Sequence, residues 1–314
     1  MTPEHYTDLM RQYSGYAGLY GGNNLHRIGC GSNGSDFNWT KVLMDKGRNN
    51  MDGLSLHYYT IAGEGWSKKG SATTFGEDQY FTGLKKALYM DELVSKHSAI
   101  MDEYDKDKRV DLLVDEWGIW TDVEPGANPG HLFQQNSMRD ALIASSTLDI
   151  LNKHCDRVKM ANIAQIVNVL QAMILTQGNK MVLTPTYHVF KMYNVHQDAT
   201  LLPSNLICEQ YQLGNDQIPA ISSSSSVDKN GKIHVTLSNL NPTKEIKLEI
   251  NLSGKGIAKI NSGTILTAAA FNAVNTFDKP ETVSPVAFKN AKKISDNKLE
   301  VSIPSKSVVV LELE

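Results

Sequence analysis

Cysteine is scarce in this 314-residue chain: Cys30, Cys155 and Cys208 stand far apart and form no C-x-x-C pair. That spacing excludes a disulfide framework and a paired-thiol metal or redox motif, and the three are read as buried thiols. Long apolar runs are missing too. None approaches the ~20 residues of a membrane span, and the N-terminus has no basic segment leading into an apolar one. A soluble chain, cytoplasmic by default and without a membrane partner, is the expectation. Nor is there an excess of one charge, since 31 Lys and Arg face 34 Asp and Glu for a net of −3. No charge run is long enough for a nucleic-acid footprint or an acidic tail, so a neutral polar ligand fits better than a nucleic acid. HExxH, Walker and dinucleotide glycine patterns are also absent. The nine histidines include His154 beside Cys155 but no ligand spacing, so neither a metal nor a cofactor is expected.

What is present is enough apolar residue, 41% of the chain, for two domains with their own cores. Thr2-Pro3-Glu4 reads as a capped helix start, and Leu9, Met10, Tyr13 and Tyr16 continue at helical spacing toward a Gly21-Gly22 stop. Strand-like segments then alternate with helical ones. Strands are expected at Leu25 to Cys30, Gly53 to Tyr59, Val110 to Val114 and Val158 to Ile166. Helices are expected near Trp39 to Met44, Tyr80 to Ile100, Leu132 to Asn152 and Tyr187 to Tyr193. Four β-then-α units without hairpin signals argue a parallel sheet with helical crossovers.

After about Leu201 the texture changes. Asp228-Lys229-Asn230-Gly231 is a hairpin turn signal, and Ile233, Val235 and Leu237 alternate with polar residues beyond it. The same alternation recurs at Ile246 to Leu252, Leu299 to Ile303 and Val309 to Leu313, which predicts an antiparallel β-sandwich or jelly-roll. Ser222 to Ser226 reads equally as a linker or as a polar strand. The division is therefore 1–200, carrying the parallel β-α units, and 201–314, the β-sandwich.

Within the first part, Val110 to Val114 delivers Glu116 to a strand end, where ligands of parallel α/β sheets bind. Glu116 is the candidate nucleophile of a glycosidase, with Trp117 and Trp120 as flat surfaces for a sugar ring; an acidic residue capping a loop is the plainer alternative. Strand alternation sends the neighbouring Asp115 to the opposite face. His57 and Tyr59, two apart, share a face, and a tyrosine hydroxyl beside a carboxylate helps keep it ionised and oriented. Asn162, Gln165 and Asn168 put amides in an apolar strand, where either a bound sugar or the backbone must satisfy them.

The runs Asp52-Gly53-Leu54-Ser55-Leu56-His57-Tyr58-Tyr59, Leu113-Val114-Asp115-Glu116-Trp117-Gly118 and Asp156 to Gln165 closely resemble α-L-arabinofuranosidases of glycoside hydrolase family 51. Met181 to Phe190 adds a fourth block, so the resemblance covers essentially the whole chain. It implies a (β/α)8 barrel followed by a jelly-roll and release of terminal arabinofuranosyl residues, with retention of configuration, from arabinan- or arabinoxylan-type polysaccharides. Glu116 would be the nucleophile, Tyr59 its orienting group, and His57 and Gln165 would line the arabinose pocket, beside the Trp117 and Asn162 contacts read from the strands themselves; a homo-oligomer is also implied. The family's Asn-Glu-Asn-Trp-Gly-like acid/base motif falls just before the segment resembling Met1 to Glu4. A chain holding the last four β-α units and the nucleophile, without its acid/base, is therefore expected to turn over weakly or not at all. The competing readings are a non-catalytic carbohydrate-binding or assembly module and a related barrel glycosidase of other sugar specificity.

Overall fold

The computed structural model describes residues 1–17, 25–254, 256 and 259–314. The elements run α1 (Pro3–Tyr16), β1 (Ile28–Asn33), α2 (Phe37–Gly47), β2 (Gly53–Thr60), α3 (Glu77–Leu88), α4 (Met90–Tyr104), β3 (Asp111–Ile119), α5 (Met138–Lys153) and β4 (Val158–Ile163). Then come β5 (Ile174–Gln177), β6 (Lys180–Leu183), α6 (Pro185–Tyr193), β7 (Thr200–Leu201), β8 (Gln210–Leu213), β9 (Asp216–Pro219), β10 (Ile221–Val227) and β11 (Ile233–Asn239). The last are β12 (Ile246–Asn251), β13 (Ile260–Thr267), β14 (Val286–Ala287), β15 (Ala291–Ser295), β16 (Lys298–Ile303) and β17 (Ser307–Leu313). They form two compact units, one of Met1–Tyr59, Tyr89–Trp117 and His154–Ile163, the other of Thr60–Leu88, Gly118–Lys153 and Ala164–Glu314.

The first unit is built on a four-stranded sheet in the order β1-β2-β3-β4, with β1/β2 and β3/β4 parallel. Its α1 starts as the sequence predicts, with the Thr2 side chain accepting from the His5 amide and Pro3 in the first turn. The Gly21-Gly22 stop lies outside the described residues. Leu54, Leu56, Leu112, Leu113 and Val114 are buried with Leu43, Met44, Leu93, Val94 and Met101 from the helices. His97 on α4 is 1% exposed, meeting Thr40 Oγ1 and the Gly34 carbonyl, each at 2.8 Å, which ties α4 to the turn after β1. At the opposite end of the sheet Arg157, also 1% exposed, binds Asp102, Asp105, and the Val110 and Asp105 carbonyls. Burial pushes the Asp105 carboxyl up, but the Val110 amide and the Arg157 guanidinium outweigh it and hold the group below its ordinary range.

The second unit has a six-stranded sheet in the order β14-β13-β17-β11-β10-β7 and a three-stranded sheet β12-β16-β15, antiparallel throughout. The Asp228 turn forms as read, its carboxylate accepting from the Asn230 and Lys232 amides. Helix α5 packs on β10, β11 and β17 and is buried all round from Met138 to Leu151. Its buried Asp149 explains the serine run. Ser222, Ser224 and Thr236 donate to Asp149 together with the Tyr193 hydroxyl, at 2.8–3.0 Å, so Ser222 to Ser226 is a strand and not a linker. Burial raises the Asp149 carboxyl to about 6 even against those four donors.

Four expectations are corrected. Tyr80 to Ile100 is two helices, broken at Tyr89 without any Gly or Pro to mark the break. The fourth strand ends at Ile163, and a β5–β6 hairpin turning at Gly178 (φ +59) precedes α6, so the fourth β-α unit is interrupted. The helix expected from Leu132 starts at Met138, after a short turn at Pro129–His131. The cysteines are free but not buried: Cys30 and Cys155 are exposed, because one sits in an irregular stretch of β1 and the other in the turn after α5.

Candidate active site

The site grows from the second half of β2. Gly53 to Leu56 are buried, whereas His57, Tyr58 and Tyr59 emerge part-exposed at the strand's C-terminal end. Alternation then puts Ser55, His57 and Tyr59 on one side. Two irregularities flank this strand. On β1 the register passes from Gly29↔Leu54 to Ser32↔Leu56, three residues against two. A Cβ at Gly31 would lie 1.4 Å from the Ser55 carbonyl oxygen, so only glycine permits the approach. On β3 the register passes from Val114↔Ala161 to Trp117↔Ile163, again three against two. The extra residue is a bulge at Asp115-Glu116.

That bulge overturns the expectation for Asp115. Instead of pointing to opposite faces, Asp115 and Glu116 both reach the β2 side chains. Tyr59 Oη donates to Glu116 Oε1 at 2.6 Å, and Ser55 Oγ donates to Asp115 Oδ1 at 2.6 Å. His57 lies between, Nδ1 3.1 Å from Glu116 Oε2 and Nε2 3.1 Å from Asp115 Oδ1. Burial and then the bond to Glu116 push the Tyr59 phenol far above its ordinary range, so it stays a donor. The Glu116 and His57 side chains are 36% and 38% exposed, open to a ligand while both carboxylate oxygens are held.

Of the other sequence candidates, Trp117 is 1% exposed and belongs to the core beneath the site, offering no face to a sugar. Asn162 is exposed on β4, and Gln165, also exposed, lies past that strand in the second unit, so neither amide is a buried group that requires a ligand. Asn168 is satisfied locally, its side chain pairing with Thr176 Oγ1 and the Thr176 amide at 2.7 Å each. Trp120, in the second unit, meets Trp66 edge-on with ring centroids 5.5 Å apart. Sequence reasoning missed Ser55 and the Asp115 contact. The Ser-x-His-x-Tyr spacing was visible; the bulge was not. Among the described residues no group of three His, Cys, Asp or Glu side chains could hold a metal ion, and no helix is long and apolar enough to cross a membrane.

An accessible carboxylate at the end of a parallel strand, with one oxygen held by a tyrosine and the other by a histidine, defines a site for carboxylate chemistry on a polar ligand. The profile of the alpha-L-arabinofuranosidase C-terminal domain matches residues 115–307, and the chain belongs to that family. It is 51% identical to an intracellular exo-alpha-L-arabinofuranosidase of Bacteroides ovatus, over all of this chain and 61% of that protein. It superposes on the crystal structure of the GH51 arabinofuranosidase of Xanthomonas axonopodis pv. citri with a TM-score of 0.97 and 46% identity, covering 100% of this chain and 63% of the other. The arabinose complex of the Thermotoga maritima enzyme shares the fold, with a TM-score of 0.79 at 22% identity, over 99% of this chain and 62% of that one. The chain thus spans about three-fifths of the length of the relatives it matches.

Proposed function

We infer that this chain carries the nucleophile of a retaining α-L-arabinofuranosidase acting on terminal arabinofuranosyl residues, and that Glu116 is that nucleophile. The supporting observation is the held but open carboxylate: Tyr59 at 2.6 Å and His57 at 3.1 Å fix its two oxygens without covering it. Such an enzyme needs two carboxyl groups about 5 Å apart, one attacking the anomeric carbon and the other protonating the leaving oxygen. Glu116 fits the first role. For the second, Glu64 in the loop after β2 is a poor fit, being exposed and paired with Lys68 at 3.0 Å. Among the remaining candidates, the exposed Asn162 suits hydrogen bonding to a sugar hydroxyl, whereas both ring nitrogens of His57 already meet carboxylates, and Gln165 rests as a sugar contact on the resemblance alone. Residues 1–200 are read as the last four β-α units of a (β/α)8 barrel and 201–314 as a jelly-roll, with the family likeness as support.

The test uses 2,4-dinitrophenyl α-L-arabinofuranoside, whose leaving group departs as a phenolate without an added proton and so reads the nucleophile by itself. Glu116→Gln is expected to lower dinitrophenolate release at least about 10³-fold relative to the unaltered chain. Equal rates would remove Glu116 from the reaction. Aryl xyloside and glucoside run alongside decide the sugar.

A further inference from the structure

Glu116 has a counterpart in Asp115. Each carboxylate takes one hydroxyl at 2.6 Å, from Tyr59 and Ser55 respectively, and each meets one nitrogen of His57 at 3.1 Å. A neutral imidazole has one N–H and can donate to one of the two; only the doubly protonated ring donates to both. The two acids therefore share the ring. The Cys30 thiol, exposed at its edge but partly covered, is raised by that partial burial and then by the charge of Asp115. Ser55 is 6% exposed and fixed in β2, so Asp115 is anchored from the core side, while the His57 side chain is 38% exposed.

We propose that Asp115, anchored by Ser55, is a positioning residue that keeps His57 aimed at Glu116 through both halves of the displacement. The proposal rests on the reading of Glu116 as nucleophile. In the first half a Glu116 oxygen bonds to the anomeric carbon, the aryl oxygen leaves with the electron pair of the broken bond, and the charge of Glu116 disappears into an ester. His57 then loses its anionic partner at Nδ1. Asp115 keeps hold of Nε2, and the ring stays in place instead of swinging toward solvent. In the second half the oxygen of a water molecule bonds to the anomeric carbon, the ester electrons return to Glu116 as carboxylate, and the proton of the water passes to solvent. The returning charge finds His57 where it was.

The test compares Asp115→Asn, Ser55→Ala, Ser55→Thr and Glu116→Gln on the dinitrophenyl arabinofuranoside. Asp115→Asn is expected to lower kcat about tenfold with KM changed less than about twofold, because one charge-assisted hydrogen bond to the ring is lost and no sugar contact is. Ser55→Ala gives a smaller loss in kcat and Ser55→Thr, which retains the hydroxyl, restores it. Wild-type kcat in Asp115→Asn, with Glu116→Gln inactive, overturns the positioning role and leaves the nucleophile standing. Wild-type rate in Glu116→Gln overturns both. A second measurement is independent of turnover: the ¹⁵N resonances of the His57 ring nitrogens shift in Asp115→Asn and stay fixed in Asp45→Asn, an exposed change on α2. Unmoved His57 resonances in Asp115→Asn also overturn the proposal.

Discussion

Glu116 in the first unit and Asp149 in the second are both carboxylates held by hydroxyls, yet one is open and the other sealed. Asp149 is fully buried, takes four hydroxyl donors and ties α5 and α6 to β10 and β11. Glu116 takes one hydroxyl and one ring nitrogen and stays 36% exposed. A hydroxyl-lined carboxylate is therefore not by itself a mark of catalysis. Access to a substrate, and charge that is held without being sealed, separate the proposed nucleophile from the structural carboxylate.

The comparison can be broken most sharply at the structural end of the first unit. Arg157→Ala leaves Asp105 and Asp102 without their buried cation, and a loss of about 3–5 kcal/mol in urea unfolding is expected. Because Asp105 is held below its ordinary range, the stability it contributes is present above the carboxylate's unfolded pKa. It fades as pH falls through the depressed folded value, so the Arg157 effect shrinks in acid.

Asp149 has the opposite sign. Its folded pKa of about 6 lies above the unfolded value, so its contribution is complete below the unfolded pKa near 4 and is lost as pH rises through 6. Two units correspond to about 3 kcal/mol. The difference in unfolding free energy between wild type and Asp149→Asn should change by roughly that much between pH 4 and pH 7. Parallel stability curves would show that the carboxyl does not titrate in this window. A smaller effect is expected at Tyr59. Tyr59→Phe removes one hydrogen bond to a charged group, worth about 1.5–3 kcal/mol, and kcat on the dinitrophenyl substrate should fall about 10- to 100-fold with the thermal midpoint little changed.

Much of the site was legible in the sequence because side chains two apart on a strand share a face, which puts His57 and Tyr59 on one side of β2. The strand end carrying Glu116 followed from the apolar run before it. Asp115 was misread because a bulge is set by register with a neighbouring strand, here β4, and leaves no local pattern in Asp-Glu-Trp-Gly. The exposure of Asn162 and Gln165 was not legible for a similar reason, since an apolar composition does not say whether a segment is covered. In the second unit the alternations of β11, β16 and β17 were plain. The role of Ser222 to Ser226 was not, because its partner Asp149 lies more than seventy residues away.

The central claim is that Glu116 attacks the anomeric carbon. It is tested most directly by incubating the protein with 2,4-dinitrophenyl 2-deoxy-2-fluoro-α-L-arabinofuranoside, digesting it and mapping the adduct by mass spectrometry. A single fluoroarabinosyl ester on the peptide containing Asp115-Glu116-Trp117, absent in Glu116→Gln, is the predicted result. An adduct on any other carboxylate, or one that persists in Glu116→Gln, would contradict the account.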